Sequence, residues 1–276
     1  KEGYDVVGVF MQCFNLDGCS EQDALDARRV AEHLEVPFYT YDFEEDYKKK
    51  VVEYMVEGYK NGITPNPDVM CNREIKFGLF LEKALKMGAD YVATGHYTRL
   101  RREFSIFNFQ FSNKSKIPKS EKKNEEIFKL YAARDTNKDQ SYFLWTLTQK
   151  QLKHCLFPIG DYLKPKVREM ARKAGIPTAE KKDSQGICFL GKVDIKDFLK
   201  DYIKGKKGKI VTTAGEVVGE HEGVSFYTIG QRHIGSNLQL KTNNKQTKKD
   251  RARFYVSEKN LKENVLTIAE GGENLA

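Results

Sequence analysis

Two cysteines raise the first chemical question in this sequence. Cys71 lies in TPNPDVMCNREIKF (64–77), where prolines and two cap-type residues, Asn66 and Asp68, run directly into a helical pattern. If Asp68 caps that helix, Cys71 is an early residue of it, among backbone N–H groups with no intrahelical partner and near the positive end of the dipole. A thiol held there has its pKa lowered below about 8.5 and becomes a better nucleophile. Arg73 and Lys76 add positive charge nearby, while Pro65 and Pro67 stiffen the approach. Asn66 and Asp68 carry side chains that can hydrogen-bond a turn or a planar base. A small buried thiol at a helix start remains an equally simple account of these residues. Cys188, in AEKKDSQGICFLG (179–191), follows Lys181, Lys182 and Asp183, yet Ile187, Phe189 and Leu190 around it also describe a packed strand. Nothing in the spacing pairs the two thiols.

The other cysteines offer less. Five is an odd number in a chain with no secretory features, which argues against a disulfide scaffold. No C-x-x-C pair exists and the histidines are scattered, so no metal site is expected. Cys155, in LKHCLFP, reads as an apolar helix position, and Cys13 and Cys19 fall in a loop.

The elements that must position these residues alternate. YDVVGVF (4–10) reads as a strand buried on both faces, SEQDALDARRVAEHLEV as a helix, and PFYTYDF (37–43) as a second strand. A helix ending at Gly62 follows, then a helix from Cys71 to Met87, then the strand DYVAT (90–94). Such alternation predicts an α/β domain, a parallel sheet with helices on both faces. Ligands of open parallel sheets bind beyond the carboxyl ends of the strands. That places MQCFN and GHY at the ligand end, with Gly95 able to admit a close approach. From Gly208 the texture changes to short strands broken by Gly and Asn, including SFYTIGQR, RFYVSEKN and NVLTIAEG. The expected division is 1–205 as the α/β domain, to which the resemblance described below gives the nucleotide-binding and catalytic role, and 206–276 as a small β-rich domain.

Net charge is +8 and unevenly spread. Residues 99–129 carry nine Lys/Arg against four acids, and 241–253 carry six against one. Both segments read as polar surface insertions, and both would also attract a polyanion. No apolar run approaches the roughly 20 residues needed to span a bilayer, so no membrane partner is expected.

In order along the chain, GVFM, CSEQDALDA, TPNPDVMCNREIKFG, ATGHY, KDQSYFL, FPIG, KKDSQGICFLG, GEHEG, FYTIGQR and FYV resemble the tRNA-specific 2-thiouridylases, enzymes of the PP-loop, adenine nucleotide α-hydrolase-like type. The likeness covers nearly the whole chain apart from the two basic insertions. It implies ATP, with Mg2+, as cosubstrate, the wobble uridine in a tRNA anticodon stem–loop as target, and a persulfide-bearing protein as sulfur donor. It implies that Cys71 is the nucleophile, that Cys188 carries the persulfide, and that the two close as a disulfide during turnover. Met11 and Gly95 match ATP-contacting positions, Asn66, Pro67 and Asp68 the segment around the target base, and Lys138, Asp139 and Gln140 a tRNA-contacting loop. The family's SGGVDSS phosphate loop and C-terminal β-barrel have no counterpart here, which predicts weak ATP binding by this stretch alone. The flavour of the segments is bacterial, giving cytoplasm as the expected compartment and mitochondria as the alternative. Two rival readings are a tRNA-binding module without chemistry and another PP-loop enzyme that adenylates a different substrate.

Overall fold

In the computed structural model of the chain, residues 3–14, 16, 19–105, 125–182, 193–232, 234 and 253–271 are described. β1 (Gly8–Gln12) and β2 (Phe38–Asp42) run parallel with Gly8 opposite Phe38 and Gln12 opposite Asp42, and α1 (Cys19–His33) connects them. Glu44–Tyr47, a π-helical stretch Lys48–Val52 and Glu53–Lys60 form one helical run, α2. Pro67–Met70, a π-helical Cys71–Phe80 and Leu81–Lys86 form the next, α3. β3 (Val92–Ala93) leads into an antiparallel hairpin of β4 (Thr98–Ser105) and β5 (Glu125–Ala132). After α4 (Gln149–Leu152), β6 (Cys155–Leu156) pairs parallel with β3, and α5 (Lys164–Lys173) follows. Parallel strands with connecting helices are therefore present, as the pairs β1–β2 and β3–β6.

The remaining elements are α6 (Ile195–Lys200), β7 (Gly208–Thr212), β8 (Val217–His221), β9 (Phe254–Asn260) and β10 (Val265–Glu270). The four strands make one mixed sheet in the order β8–β7–β10–β9, with β7 and β10 parallel. Ile210, His221, Val256, Leu266 and Ile268 are among its most deeply buried side chains.

The chain divides into two compact units, 1–12 with 21–43 and 68–183, and 13–20 with 44–67 and 184–276. The second thus includes α2, which lies far upstream of the Gly205–Gly208 boundary. The reason is legible in α2 itself: Tyr47, Val51, Val52, Met55, Val56 and Tyr59 are buried at helical spacing. After α2, Gly62 packs on Leu261, and Thr64 donates a 3.0 Å hydrogen bond to Thr228, within that unit.

In the first unit the core gathers Phe77, Leu144, Leu147, Leu152, Cys155 and Phe157, with Leu100, Phe128 and Leu130 of the hairpin against it. The hairpin alternates as a one-sided sheet should, with Leu100 opposite Leu130 inward while Glu103 and Lys129 pair outside at 2.7 Å. Part of the basic segment 99–129 is therefore structured strand rather than loop; 106–124 lie outside the described residues.

Three further expectations are corrected. β1 starts at Gly8, and Tyr4, Val6 and Val7 before it are exposed, so 4–10 is not a strand buried on both faces. Its partner β2 begins only after Pro37, which has no N–H to extend the ladder. Cys155 is in a strand instead of a helix, because α4 stops and the neighbouring backbone bonds to β3, with Val92 N–H to His154 O at 2.8 Å and Thr94 N–H to Leu156 O at 3.1 Å. SFYTIGQR (225–232) holds no strand; its first two residues end a 3-10 turn, Val224–Phe226.

Candidate functional site

The thiol helix begins earlier than its sequence pattern suggests. α3 opens at Pro67, whose missing N–H costs nothing at a first helical position. Asp68 is then inside the first turn rather than its cap, and Cys71 stands four residues after Pro67, beyond the unpaired N–H groups. The dipole argument for ionising this thiol weakens accordingly, since the effect falls off within one turn. Cys71 is only 5% exposed and opens the π-helical stretch. Gly78 makes that wide turn possible, because a Cβ there would meet Arg73 O at 2.8 Å. π segments are rare and concentrate at functional sites. Arg73 turns outward and pairs with Glu74 at 2.7 Å, so its charge is not directed at the thiol. In the preceding segment Pro65 and Pro67 are buried, Asn66 is exposed and Asp68 half-buried.

Three segments distant in sequence meet around this helix. Asn72 donates from Nδ2 to Phe143 O at 3.3 Å, which ties α3 to the stretch following Lys138–Asp139–Gln140. Gln140 in turn binds the backbone after β3 twice: its N–H donates to Tyr97 O at 2.8 Å, and its Oε1 accepts from Tyr97 N–H at 3.0 Å. Phe77 of α3 packs against the His96 ring at 5.9 Å and against Phe157 at 6.0 Å. The structure therefore brings Cys71, the Gly95–His96–Tyr97 turn and the Lys138–Gln140 loop into one neighbourhood. Asp139 is an internal brace: Oδ1 accepts from Ala133 N–H at 2.7 Å and Oδ2 from Ser141 Oγ at 2.8 Å. Of these three loop residues, Lys138 is the exposed one.

Sequence reasoning passed over two residues here, Asn72 and His96. Asn72 is 2% exposed and its Oδ1 has no hydrogen-bond partner among the described residues. An unmatched buried acceptor costs about 1–3 kcal/mol. Its position beside Cys71 was the available signal. His96 is 9% exposed, with Nδ1 2.8 Å from Thr94 Oγ1. Burial pushes its pKa down to about 3, with the Lys76 ammonium adding to the shift, so the imidazole is neutral at physiological pH. It can exchange hydrogen bonds there but cannot cycle a proton by titration.

That shift predicts a pH dependence. Unfolded His96 titrates near 6.5 and the folded residue near 3, so between those values the unfolded state binds the extra proton. Its contribution to stability is full above about pH 6.5 and declines as pH falls, by up to about 1.4 kcal/mol per pH unit. Denaturant unfolding of wild type and His96→Gln from pH 7.5 to 4.5 should show wild type losing its advantage in that direction. A difference constant with pH would refute it.

Met11 lies in β1 opposite Tyr41 and is half-buried, belonging to the other strand pair. Gly95 follows β3 on an exposed turn, and a Cβ there would reach only Ile159 Cδ1, at 4.0 Å. The protein's own packing leaves that space open, which fits close approach by a nucleotide beyond a strand end. Cys188 falls within 183–192, outside the described residues. Just before it, Lys181 is committed to Asp23 at 2.6 Å and Asp26 at 2.7 Å, and its hydrogen bond holds the Asp26 carboxyl below the usual carboxylate range. Among the described residues, no cluster of three His, Cys, Asp or Glu could hold a metal ion, and no helix is long and apolar enough to cross a membrane.

Comparison with known proteins is consistent along the chain. Residues 1–192 match the family described as tRNA methyl transferase HUP domain, and 196–270 match the tRNA methyl transferase PRC-barrel domain. A protein named tRNA-specific 2-thiouridylase MnmA in Bacillus cytotoxicus is 42% identical over 284 residues, covering 99% of this chain and 67% of that protein. The proteins of the same name in Bacillus thuringiensis strain Al Hakam and Bacillus anthracis are similar to the same degree and over the same shares.

Proposed function

From the premise that this chain belongs to the tRNA methyl transferase HUP/PRC-barrel family, and from its 42% identity to proteins named tRNA-specific 2-thiouridylase, we propose that it makes 2-thiouridine in tRNA. The target is the wobble uridine of an anticodon stem–loop, and the compartment is the cytoplasm.

The chemistry needs an activated base and a sulfur. Uracil O2 is a poor leaving group; attack of that oxygen on the α-phosphorus of ATP, with pyrophosphate departing, converts it into a good one. ATP, with Mg2+ carried on its phosphates, supplies that activation and nothing later. Gly95, on the turn after β3, and Met11, next to last in β1, would contact the nucleotide. Cys188 carries the persulfide delivered by a donor protein. Its outer sulfur attacks C2 and AMP leaves with the former O2. The sulfur–sulfur bond breaks as the Cys71 thiolate takes the inner sulfur, leaving a Cys71–Cys188 disulfide that an external reductant reopens. The target base must first leave its stack, at a cost of a few kcal/mol. Asn66, Pro67 and Asp68 flank its place, and Lys138 meets the RNA, while Asp139 and Gln140 hold the loop in position.

The observation that carries this reading is the hydrogen-bonded junction of the thiol helix with the post-strand turn and the Lys138–Gln140 loop, through Asn72–Phe143 and the double Gln140–Tyr97 bond. It joins the helix beside Cys71, the turn after β3 and the loop that carries Lys138, an arrangement that supports a sulfur transfer onto an activated base. A methyl transfer, suggested by the family's description, would release no AMP and form no disulfide, and that difference is what the following test reads.

Mass spectrometry of wobble-position nucleosides tests it, after the full-length protein is incubated with unmodified tRNA, ATP and a persulfide donor. The expected product is 2-thiouridine, formed only with ATP and with one AMP per sulfur. A methylated nucleoside, or RNA binding without any product, would replace this reading with one of its rivals.

A further inference from the structure

The stretch Gln140–Leu147 is a succession of three-residue turns: Phe143 N–H bonds to Gln140 O, Leu144 to Ser141 and Leu147 to Leu144. In such turns residues three apart stack above one another. Leu144 and Leu147 form one such pair, and both are core residues. Tyr142 and Trp145, also three apart, face the other way, at 58% and 73% exposure. Trp145 is the only tryptophan in the chain. So large an apolar ring is rarely left this open, because its burial is worth so much. The Tyr142 ring leans on Phe143 at 4.1 Å, which limits its freedom.

The charges of the segment 134–153 that carries these rings are sorted. The two acids of the segment point inward to backbone donors: Asp135 accepts from Lys164 N–H at 2.9 Å and Asp139 from Ala133 N–H at 2.7 Å. Arg134, Lys138, Lys150 and Lys153 are exposed. The outer surface of the stretch is thus aromatic and cationic, with its negative charge internally satisfied. Flat exposed rings on a segment with four exposed cations suit unstacked bases on a phosphate backbone better than they suit a protein, whose apolar anchors need pockets.

We propose that Trp145 and Tyr142 form a stacking platform for single-stranded RNA, taking anticodon-loop nucleotides that neighbour the target base. The proposal rests on the functional reading above and assigns to it residues that hold the loop open. A stacked base contributes through its face rather than its edge, so the platform tolerates different flanking sequences.

Emission from Trp145 gives a direct readout, with Trp145→Phe used to subtract any other tryptophan in the full-length protein. Titration with an anticodon stem–loop RNA should quench it saturably. Trp145→Ala should weaken RNA binding about tenfold and Trp145→Phe less, since a ring remains. The dependence of binding on salt should keep its slope in Trp145→Ala, because no phosphate contact is lost, whereas Lys138→Ala should lower the slope by about one. Unchanged affinity in Trp145→Ala, or quenching by the sulfur-donor protein and not by RNA, would overturn the platform. Thiolation proceeding with no response from Trp145 sinks the platform alone; RNA-dependent quenching without any thiolation supports the platform and sinks the proposed activity.

Discussion

Full-length protein carrying Cys71→Ser is expected to accept sulfur from a persulfide donor normally and to make 2-thiouridine at least about a thousandfold more slowly under multiple turnover. Serine preserves the size of the side chain but cannot break a sulfur–sulfur bond, so the loss falls on the step that releases sulfur from Cys188. Cys188→Ser should fail earlier, at loading, which separates the two roles in a single pair of assays. Cys155 provides the control. Its Sγ donates to Gln151 O at 3.1 Å inside the core, and burial pushes its pKa up to about 12. It has almost no thiolate at neutral pH, so Cys155→Ser should leave thiolation unaltered and cost only some stability. Cys71 needs separate scrutiny because it too is buried, at 5% exposure. If Cys71→Ser cycles at the wild-type rate, its burial is its whole role and the relay is wrong.

The second large effect is on stability. Phe77→Ala should cost about 3–5 kcal/mol, read as a lower denaturant midpoint at unchanged slope. Phe77 is 1% exposed and touches the rings of both His96 and Phe157, and its carbonyl accepts from Gln151 Nε2 at 2.8 Å. Removing the ring leaves a cavity between the thiol helix and the turn after β3. Water reaching that cavity would relieve the desolvation that holds His96 near 3, so the imidazole pKa should rise toward 6.5 in an NMR titration. Phe77→Leu, which fills most of the space, should show a smaller shift and cost about 1–2 kcal/mol. A loss under about 1 kcal/mol for the alanine variant would mean that α3 is held elsewhere, and that the ring contacts do not position the site.

The site was only partly visible in the residue order. The motif around Cys71 identified the thiol, and GHY identified the turn, but nothing linear joined them to KDQSYF. The link is a set of hydrogen bonds between residues far apart in the chain, Asn72 to Phe143 and Gln140 to Tyr97. Polar residues such as Gln140 and Asp139 have no periodicity to betray whether they face solvent, RNA or a backbone N–H. In the fold, both are spent internally. The helix start was misjudged for a related reason: Asp68 and Pro67 both favour an N-terminus, and local preference alone does not choose which of them leads.

What the sequence by itself determined is the alternation of strands and helices, the change to a β-rich region after Gly208, the family, and the thiols worth testing. These follow from local properties: hydrophobic period, turn residues and unusual motifs are written within short windows. Only the tertiary structure decided that α2 packs with residues from the chain's end, that Cys71 is interior, that His96 is a neutral imidazole between aromatic rings, and that Trp145 is left outside. Burial is a property of what surrounds a residue, and those surroundings arrive from distant parts of the chain. A thiol, an imidazole and an indole therefore acquire their chemistry only when the packing around them is complete.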